Sequence, residues 1–428
     1  MNPQDTSALS PADRLNRISE CGLCISCGLC ESVAGTDRVR MAVTPLGHLR
    51  PVVVGELDHA TVDRIYDTCP GTRVDGLPVR LIDGDTRSDP VWGPYRRMVR
   101  AYAADPDVRF RAATGGVLTA MALYLVESGR VDFVLHAKAS VEKPTFGERH
   151  LSFAAADVVA GAGSRYGPTA TLIDVRDVLD RGRPFAFAGT PCDIGALRNY
   201  ARHDDRVDDL VKYWLTPVCG GYMPPPDMHA FLAGLDLREE DLTALSYRGY
   251  GCPGPTRIET RDGRVIEKNY LDMWSEDAGA WSLPFRCKIC PDGIGEAADI
   301  AAADTWPGGA PTWEGQADDP GTNAVIARTA AGVELLEAAA AAGHLVVERD
   351  IGPEDMSLYQ PHQVAKKYAA WARHQGLRAA GEPAPETTGL RIAALAAEMG
   401  DDFVQGQKDG TIRRVNEGKT REPTPTAV

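Results

Sequence analysis

The chain of 428 residues is long enough for two or three domains at roughly 150 residues each, and 43% apolar with 25% charged residues is the balance of a globular protein, which excludes collagen-like, coiled-coil and wholly disordered readings. Its 46 Lys and Arg stand against 60 Asp and Glu, a net charge of −14, so the mean field repels phosphate and neither nucleic acid nor an anionic membrane surface is an expected partner. No stretch reaches the ~18 consecutive apolar residues of a membrane-spanning helix, and Met1–Leu15 lacks an apolar core flanked by basic residues; a cytoplasmic location is expected.

In chain order, residues 1–100 are poor in regular pattern and rich in Gly, Pro and Cys, the composition of an irregular, cluster-binding region. Cys21, Cys24, Cys27 and Cys30 repeat at three-residue steps. On a regular helix each step turns about 300°, which would send Cys21 and Cys30 to opposite faces, and Gly22 and Gly28 suggest a loop instead. Clustered thiols without an export signal point to metal ligation more than to disulfides. Three cysteines at C-x2-C-x2-C with a remote Cys-Pro pair resemble ferredoxin ligation of a 4Fe–4S cluster, so the expected ligands are Cys24, Cys27, Cys30 and Cys69, the last brought back by the fold. Cys21 is then spare or substituting. Zinc, or merely reduced core thiols, is the alternative.

At Thr114 the character changes. Thr114-Gly115-Gly116 introduces a helical run, Val117–Val126, ended by Gly129 and followed by a strand-like Val131–Leu135. Gly163-Ser164-Arg165-Tyr166-Gly167 is a second glycine-bounded loop, before a strand-like Ala170–Val175. Gly189-Thr190-Pro191-Cys192 follows the strand-like Pro184–Ala188 and leads into a helix, Ile194–Tyr200. A glycine turn feeding a helix suits an anion, and α/β folds place ligands at the carboxyl ends of strands, so these three loops form a candidate cofactor cradle; tight turns without a ligand carry the same pattern. Gly249, Gly251 and Gly254 spell G-x-G-x-x-G, but Pro253 and Pro255 spoil a helix start and Thr256–Thr260 reads as a strand, so this is no dinucleotide fingerprint. Cys287 and Cys290 form a C-x2-C; a second cluster would add Cys192 and Cys219, preferred over Cys252, although any of these three could be a plain buried cysteine. Gly321–Val347 reads as an Ala/Leu-rich helix, Gly381–Pro385 as a linker, Leu390–Met399 as a last helix and the polar segment from Glu417 as a mobile tail. The expected fold is mixed α/β, a central sheet with flanking helices. Its expected units are 1–100 (cysteine-rich), 101–330 (the candidate cofactor cradle, with the second cluster) and 331–428 (a helical extension).

GTPCDIGALR, ATGGVLTA and FRCKICPDGIGEAADIAAADTW together resemble the coenzyme F420 hydrogenase/dehydrogenase beta-subunit family, from about Cys21 to about Arg328. The resemblance implies an iron–sulfur oxidoreductase containing FAD. Members include deazaflavin-reducing subunits of archaeal hydrogenases and formate dehydrogenases, and ferredoxin-dependent tetrapyrrole reductases, whose N-terminal cysteines are spaced differently from CGLCISCGLC. Carried over, Thr114, Gly115, Gly116, Ser164, Tyr166, Gly189, Thr190 and Pro191 lie around the flavin, Cys287 and Cys290 ligate a cluster, and Asp299 and Asp304 match an acidic pair.

Clusters move one electron at a time whereas a flavin exchanges two. The leading expectation is electron flow from ferredoxin, or a similar electron-transfer protein, through two 4Fe–4S clusters to FAD and on to a small organic substrate. The runner-up has reduced coenzyme F420 as hydride donor and the clusters as the exit to a partner subunit. A third reading is a non-catalytic electron-transfer or zinc-stabilised module. His136, Tyr166, Asp193, Glu259 and His362 are all candidate proton donors and none is singled out. A partner subunit or a homo-oligomer is expected.

Overall fold

The computed structural model describes residues 8–274, 283–312 and 319–426. The N-terminal hundred residues, expected to be irregular, hold three helices: α1 (Pro11–Glu20), α2 (Leu29–Ala34) and α3 (His59–Thr68). Local capping explains two of them. The Ser10 hydroxyl accepts the Asp13 N–H at 3.2 Å ahead of Pro11, and the Asp58 carboxylate accepts the Thr61 N–H at 2.7 Å. The stretch between α1 and α2, which carries Cys21, Cys24 and Cys27, is loop. Gly28 closes it at φ +84, where a Cβ would press within 3.0 Å of Ile173 N. Val39–Val43 and Leu49–Val53 pair as an antiparallel hairpin beside it.

The centre is an eight-stranded sheet: β1 (Arg97–Ala103), β2 (Phe133–Ala139), β3 (Gly147–Ser152), β4 (Phe185–Ala188), β5 (Val211–Pro217), β6 (Ile300–Asp304), β7 (Asn323–Ala327) and β8 (Leu345–Asp350), in spatial order β8-β1-β7-β6-β5-β4-β2-β3. Strands β2, β4, β5 and β6 run parallel, with antiparallel neighbours at both ends. Side chains alternate between two covered faces. Phe133, Leu135, Phe185 and Phe187 pack with α1–α3 and with α5 (Pro191–Tyr200), whereas Val134, Ala186 and Leu215 pack with α4 (Val117–Glu127). The carboxyl ends of the parallel strands and of β1 share one edge of the sheet. The loops after β1, β4, β5 and β6 therefore open together.

Two local expectations are corrected. Gly321–Val347 is not one helix but β7, α7 (Ala330–Ala341) and β8, with the short α6 (Phe285–Lys288) earlier in the chain. Asn323–Ala327 is buried between β6 and β1, so pairing overrides the helical bias of its alanines, and the Thr329 hydroxyl then starts α7 by accepting the Gly332 N–H at 3.0 Å. Ala170–Val175 is turn, not strand: Leu172 is fully buried and its N–H donates to the Cys27 carbonyl at 2.8 Å, making this segment a wall of the cysteine loop. The sheet also draws β1 from before residue 101 and β8 from after residue 330.

The C-terminal segment wraps back onto the N-terminal one. α8 (Pro361–Ala379) and α9 (Asp401–Asn416) pack together, and Glu386–Thr388 pairs parallel with Arg73–Asp75. The segment from Glu417, expected to be mobile, is docked. Its Glu422 carboxylate receives Nε and Nη2 of Arg50, each at 2.7 Å, and Arg50 also donates to the Ser26 hydroxyl at 2.9 Å inside the cysteine loop. Composition registers a polar, proline-containing tail; it does not register that the tail carries the counter-charge of a buried arginine. No helix among the described residues is long and apolar enough to cross a membrane. Glu422→Ala should strand the Arg50 charge, whose side chain is 1% exposed, and cost about 3–5 kcal/mol in chemical denaturation; a loss under ~1 kcal/mol would show that the tail is dispensable.

Candidate functional site

Cys24 and Cys27 in the α1–α2 loop, Cys30 in α2 and Cys69 at the end of α3 face one small cavity of about 20 Å3, walled by Leu15, Ile18, Leu29 and Ile65. Burial is the main cause that raises the Cys27, Cys30 and Cys69 thiols, Cys69 to about 12, and each is raised further by a neighbouring thiol of the same group. Thiols so placed lose their protons only against a cation. Backbone donors point at the sulfurs: Ser26 N–H to Cys24 at 3.5 Å, Gly71 N–H to Cys69 at 3.3 Å, and the N–H groups of Leu29 and Glu31 to Cys27 and Cys30.

Cys192 in the first turn of α5, Cys219 after β5, Cys287 in α6 and Cys290 just beyond it form a second quartet. Burial again raises Cys192, Cys219 and Cys287 most, Cys219 to about 12, and other thiols of the set add to each. Gly221 and Tyr222 donate backbone N–H groups to Cys219 and Cys287. Among the described residues no three His, Cys, Asp or Glu converge as ligands of one ion. Two all-thiol sets, buried and met by backbone N–H donors, have the soft donor chemistry that polynuclear iron–sulfur centres use and a hard cation does not.

The quartets adjoin. Arg286, next to Cys287, donates from Nε and Nη2 to the carbonyl of Pro70, next to Cys69, at 3.0 and 2.8 Å. Asp193 neighbours both Cys27 and Cys192, and burial pushes its carboxyl up to about 6. Cys21 stands apart: it donates to Glu382 at 3.1 Å, in a knot with Arg17 and Arg421, and burial lifts it to about 12.

A third feature lies at the carboxyl edge of the sheet. Arg248 is 3% exposed, and its guanidinium meets both oxygens of Asp304 at 3.0 Å, the Tyr166 hydroxyl at 3.3 Å, the Pro253 carbonyl at 3.1 Å and the Thr114 hydroxyl. It also lies over the rings of Tyr270 and Trp306, at 5.2 and 4.8 Å. The Ser164 N–H donates to the Arg248 carbonyl at 3.1 Å, and a Cβ on Gly115 would strike Asn323 at 2.7 Å, so the TGG and GSRYG loops are drawn onto this centre. Asp304 stays ionised beside Arg248 despite burial. Cys252 joins the rim, donating to Asp319 at 3.3 Å, where Trp306 Nε1 also donates at 3.1 Å. The start of α8 connects this centre to the second quartet: Gln360 donates to the Asp304 carbonyl, Gln363 to that of Cys219 and Lys366 to that of Gly220, at 2.9, 2.8 and 2.7 Å.

Gly189, Thr190 and Pro191 belong to the cysteine side. The Thr190 hydroxyl donates to Asp193 at 2.7 Å and touches Cys192 at 3.1 Å, so this turn caps α5 and presents the thiol. Of the proton-donor candidates, Tyr166 touches Arg248 and His362 neighbours Asp304, burial holding His362 near 4. His136 is engaged within the sheet with Ser152 at 2.7 Å, and Glu259 pairs with Arg257 at 3.1 Å. Asp299 caps the approach to β5 and α7 rather than joining Asp304: it accepts Trp214 N–H at 3.0 Å and the Thr329 hydroxyl at 2.8 Å. Sequence reasoning missed Arg248, Tyr270, Trp306 and Arg286. Its only signal for Arg248 was the dense glycine run around Gly249–Gly254, dismissed as a false fingerprint.

Residues 98–175 match the family model for the N-terminal part of the coenzyme F420 hydrogenase/dehydrogenase beta subunit, and residues 182–351 match the model for its C-terminal part, together more than half of the chain. The second quartet and Arg248 lie inside the matched residues; the first quartet lies outside them. The chain is 28% identical over 211 residues to the F420-dependent formate dehydrogenase 1 subunit beta of Methanococcus maripaludis, covering 48% of this chain and 51% of that one. It is 24% identical over 304 residues to the coenzyme F420-dependent sulfite reductase of Methanocaldococcus jannaschii, covering 67% and 43%. With the coenzyme F420 hydrogenase subunit beta of Methanothermobacter thermautotrophicus the figures are 23% over 273 residues, covering 59% and 84%. The chain thus spans about half the length of the first two relatives. A chain of the F420-reducing nickel–iron hydrogenase complex from Methanosarcina barkeri shares the fold, with TM-score 0.51, 19% identity and coverage of 66% of this chain and 92% of that one. Cys69→Ala should remove about half of the bound iron, whereas Cys21→Ala should leave it intact; equal losses on iron analysis would put Cys21 in the first quartet.

Proposed function

Because the chain belongs to the coenzyme F420 hydrogenase/dehydrogenase beta-subunit family, a family of redox enzyme subunits, we propose that it exchanges hydride with coenzyme F420 and passes electrons through two 4Fe–4S clusters to a partner subunit. The observation that carries this reading is the continuous placement of three features: the Arg248 centre, the second quartet joined to it through α8, and the first quartet joined to the second through Arg286 and Asp193. The relatives named above are F420-linked, which favours F420 over ferredoxin as the donor.

FAD is the proposed mediator, with Thr114, Gly115, Gly116, Ser164 and Tyr166 nearest to it and Cys24, Cys27, Cys30, Cys69, Cys192, Cys219, Cys287 and Cys290 as cluster ligands. Gly189, Thr190 and Pro191 form the turn that carries Cys192. When bound, a flavin accepts an electron pair as hydride and yields electrons singly, which is why it suits the junction of a two-electron donor and one-electron clusters. Arg248 is charge-balanced by Asp304 and shielded by the Tyr166, Tyr270 and Trp306 rings, so the centre offers aromatic faces and a fixed cation while excluding water. His362, which burial keeps neutral, stands beside Asp304 at this centre.

Anaerobic stopped-flow mixing with chemically reduced F420 tests the donor. Flavin bands should bleach first and the broad iron–sulfur absorption after them. Reduction by ferredoxin with none by the deazaflavin would contradict the donor assignment. Asp304→Asn, which leaves the Arg248 charge unbalanced, should slow F420-dependent reduction about tenfold or more while leaving bound iron unchanged; an unchanged rate would remove the Arg248 centre from the pathway.

A further inference from the structure

A buried guanidinium stands between the two quartets with no carboxylate to balance it. Arg286 is 2% exposed, and its guanidinium donates twice to the neutral carbonyl of Pro70. No Asp or Glu among the described residues lies within ion-pair distance of it. Arg328 likewise donates only to carbonyls, although Glu296 and Asp292 act on it, and other buried arginines are ion-paired. Arg50 is bridged by Glu422, Arg198 by Asp299 at 3.3 Å and Arg248 by Asp304. Taking an ion of this kind out of water costs several kcal/mol unless opposite charge stands close. The groups beside Arg286 that can supply it are thiols: Cys287 is the next residue, and Cys69 immediately precedes the Pro70 whose carbonyl takes both of its donors.

We propose that Arg286 is the shared counter-charge of the two clusters, a positioning residue that stabilises the electron-loaded state of both. The inference rests on the cluster reading above, not on the identity of the hydride donor. A thiolate-held 4Fe–4S centre that takes up one electron becomes one unit more negative, with no proton required, and a fixed cation beside it favours that state. One guanidinium beside both sets raises both potentials together and keeps them close enough for electrons to pass in either direction. Lys366 supplies a contrast: its ammonium donates to the Gly220 carbonyl, next to Cys219, on the side of the second quartet. It serves the second cluster only.

The test is a dithionite redox titration of the anaerobically purified full chain, followed by electron paramagnetic resonance, with iron content measured on every sample. Arg286→Gln, which keeps a donor for Pro70 but removes the charge, should shift both midpoint potentials negative. Arg286→Lys should restore both toward wild type, and Lys366→Gln should shift one midpoint only. If Arg286→Gln loses iron while Arg286→Lys retains it, the charge is needed even to hold the clusters, which supports the proposal. Unchanged midpoints in Arg286→Gln, movement of only one of them, or equal iron loss in both Arg286 variants would overturn it. A wild-type chain without iron would instead remove the cluster reading itself.

Discussion

Eight thiols in two adjoining groups have to be delivered by five separate stretches of chain, and most of the architecture serves that convergence. The α1–α2 loop and α2 bring Cys24, Cys27 and Cys30, the end of α3 brings Cys69, the start of α5 brings Cys192, the exit of β5 brings Cys219, and α6 with its exit brings Cys287 and Cys290. Each stretch is fixed by an ordinary device: a capped helix, a strand end, a glycine turn. The pairing of Glu386–Thr388 with Arg73–Asp75 and the bridge from Glu422 to Arg50 then hold the C-terminal segment against the first quartet. Folding and redox function share these contacts, because the buried charges that close the fold also surround the sulfurs.

Charge is distributed unevenly along the path. The Arg248 centre is internally neutral, its cation matched by Asp304. Lys366 acts on the second quartet and Arg286 on both, whereas Asp193, of opposite sign, neighbours one thiol of each. A net charge of −14 over the whole chain therefore coexists with cations concentrated where thiolates are gathered. Local placement, not the mean field, sets the charge around these thiols.

Much of this was legible in the sequence, for identifiable reasons. A C-x2-C spacing has a direct geometric meaning, so the clustered cysteines could be grouped before any tertiary information, and a strand–turn–helix pattern located Gly189–Cys192 at the sheet edge. Other features were opaque because their causes are non-local. Thr190 was read as a flavin contact, and nothing in its turn announces that its hydroxyl is shared between Asp193 and Cys192. The alanine run around β7 looked helical because nothing in it announces burial between β6 and β1. Arg248 was hidden inside a glycine run whose real purpose is close packing: a Cβ on Gly254 would stand 2.1 Å from the Gly249 carbonyl oxygen. Arg286 is set apart by its place between the two quartets, which no motif encodes.

In the proposed arrangement two clusters sit side by side, the second of them linked through α8 to the Arg248 centre. Low-temperature electron paramagnetic resonance of the fully dithionite-reduced chain tests it most directly, because neighbouring paramagnets split and broaden one another's signals. The account predicts two iron–sulfur signals that interact magnetically when both are reduced and simplify when only one is. A single isolated signal, or zinc in place of iron, would contradict it.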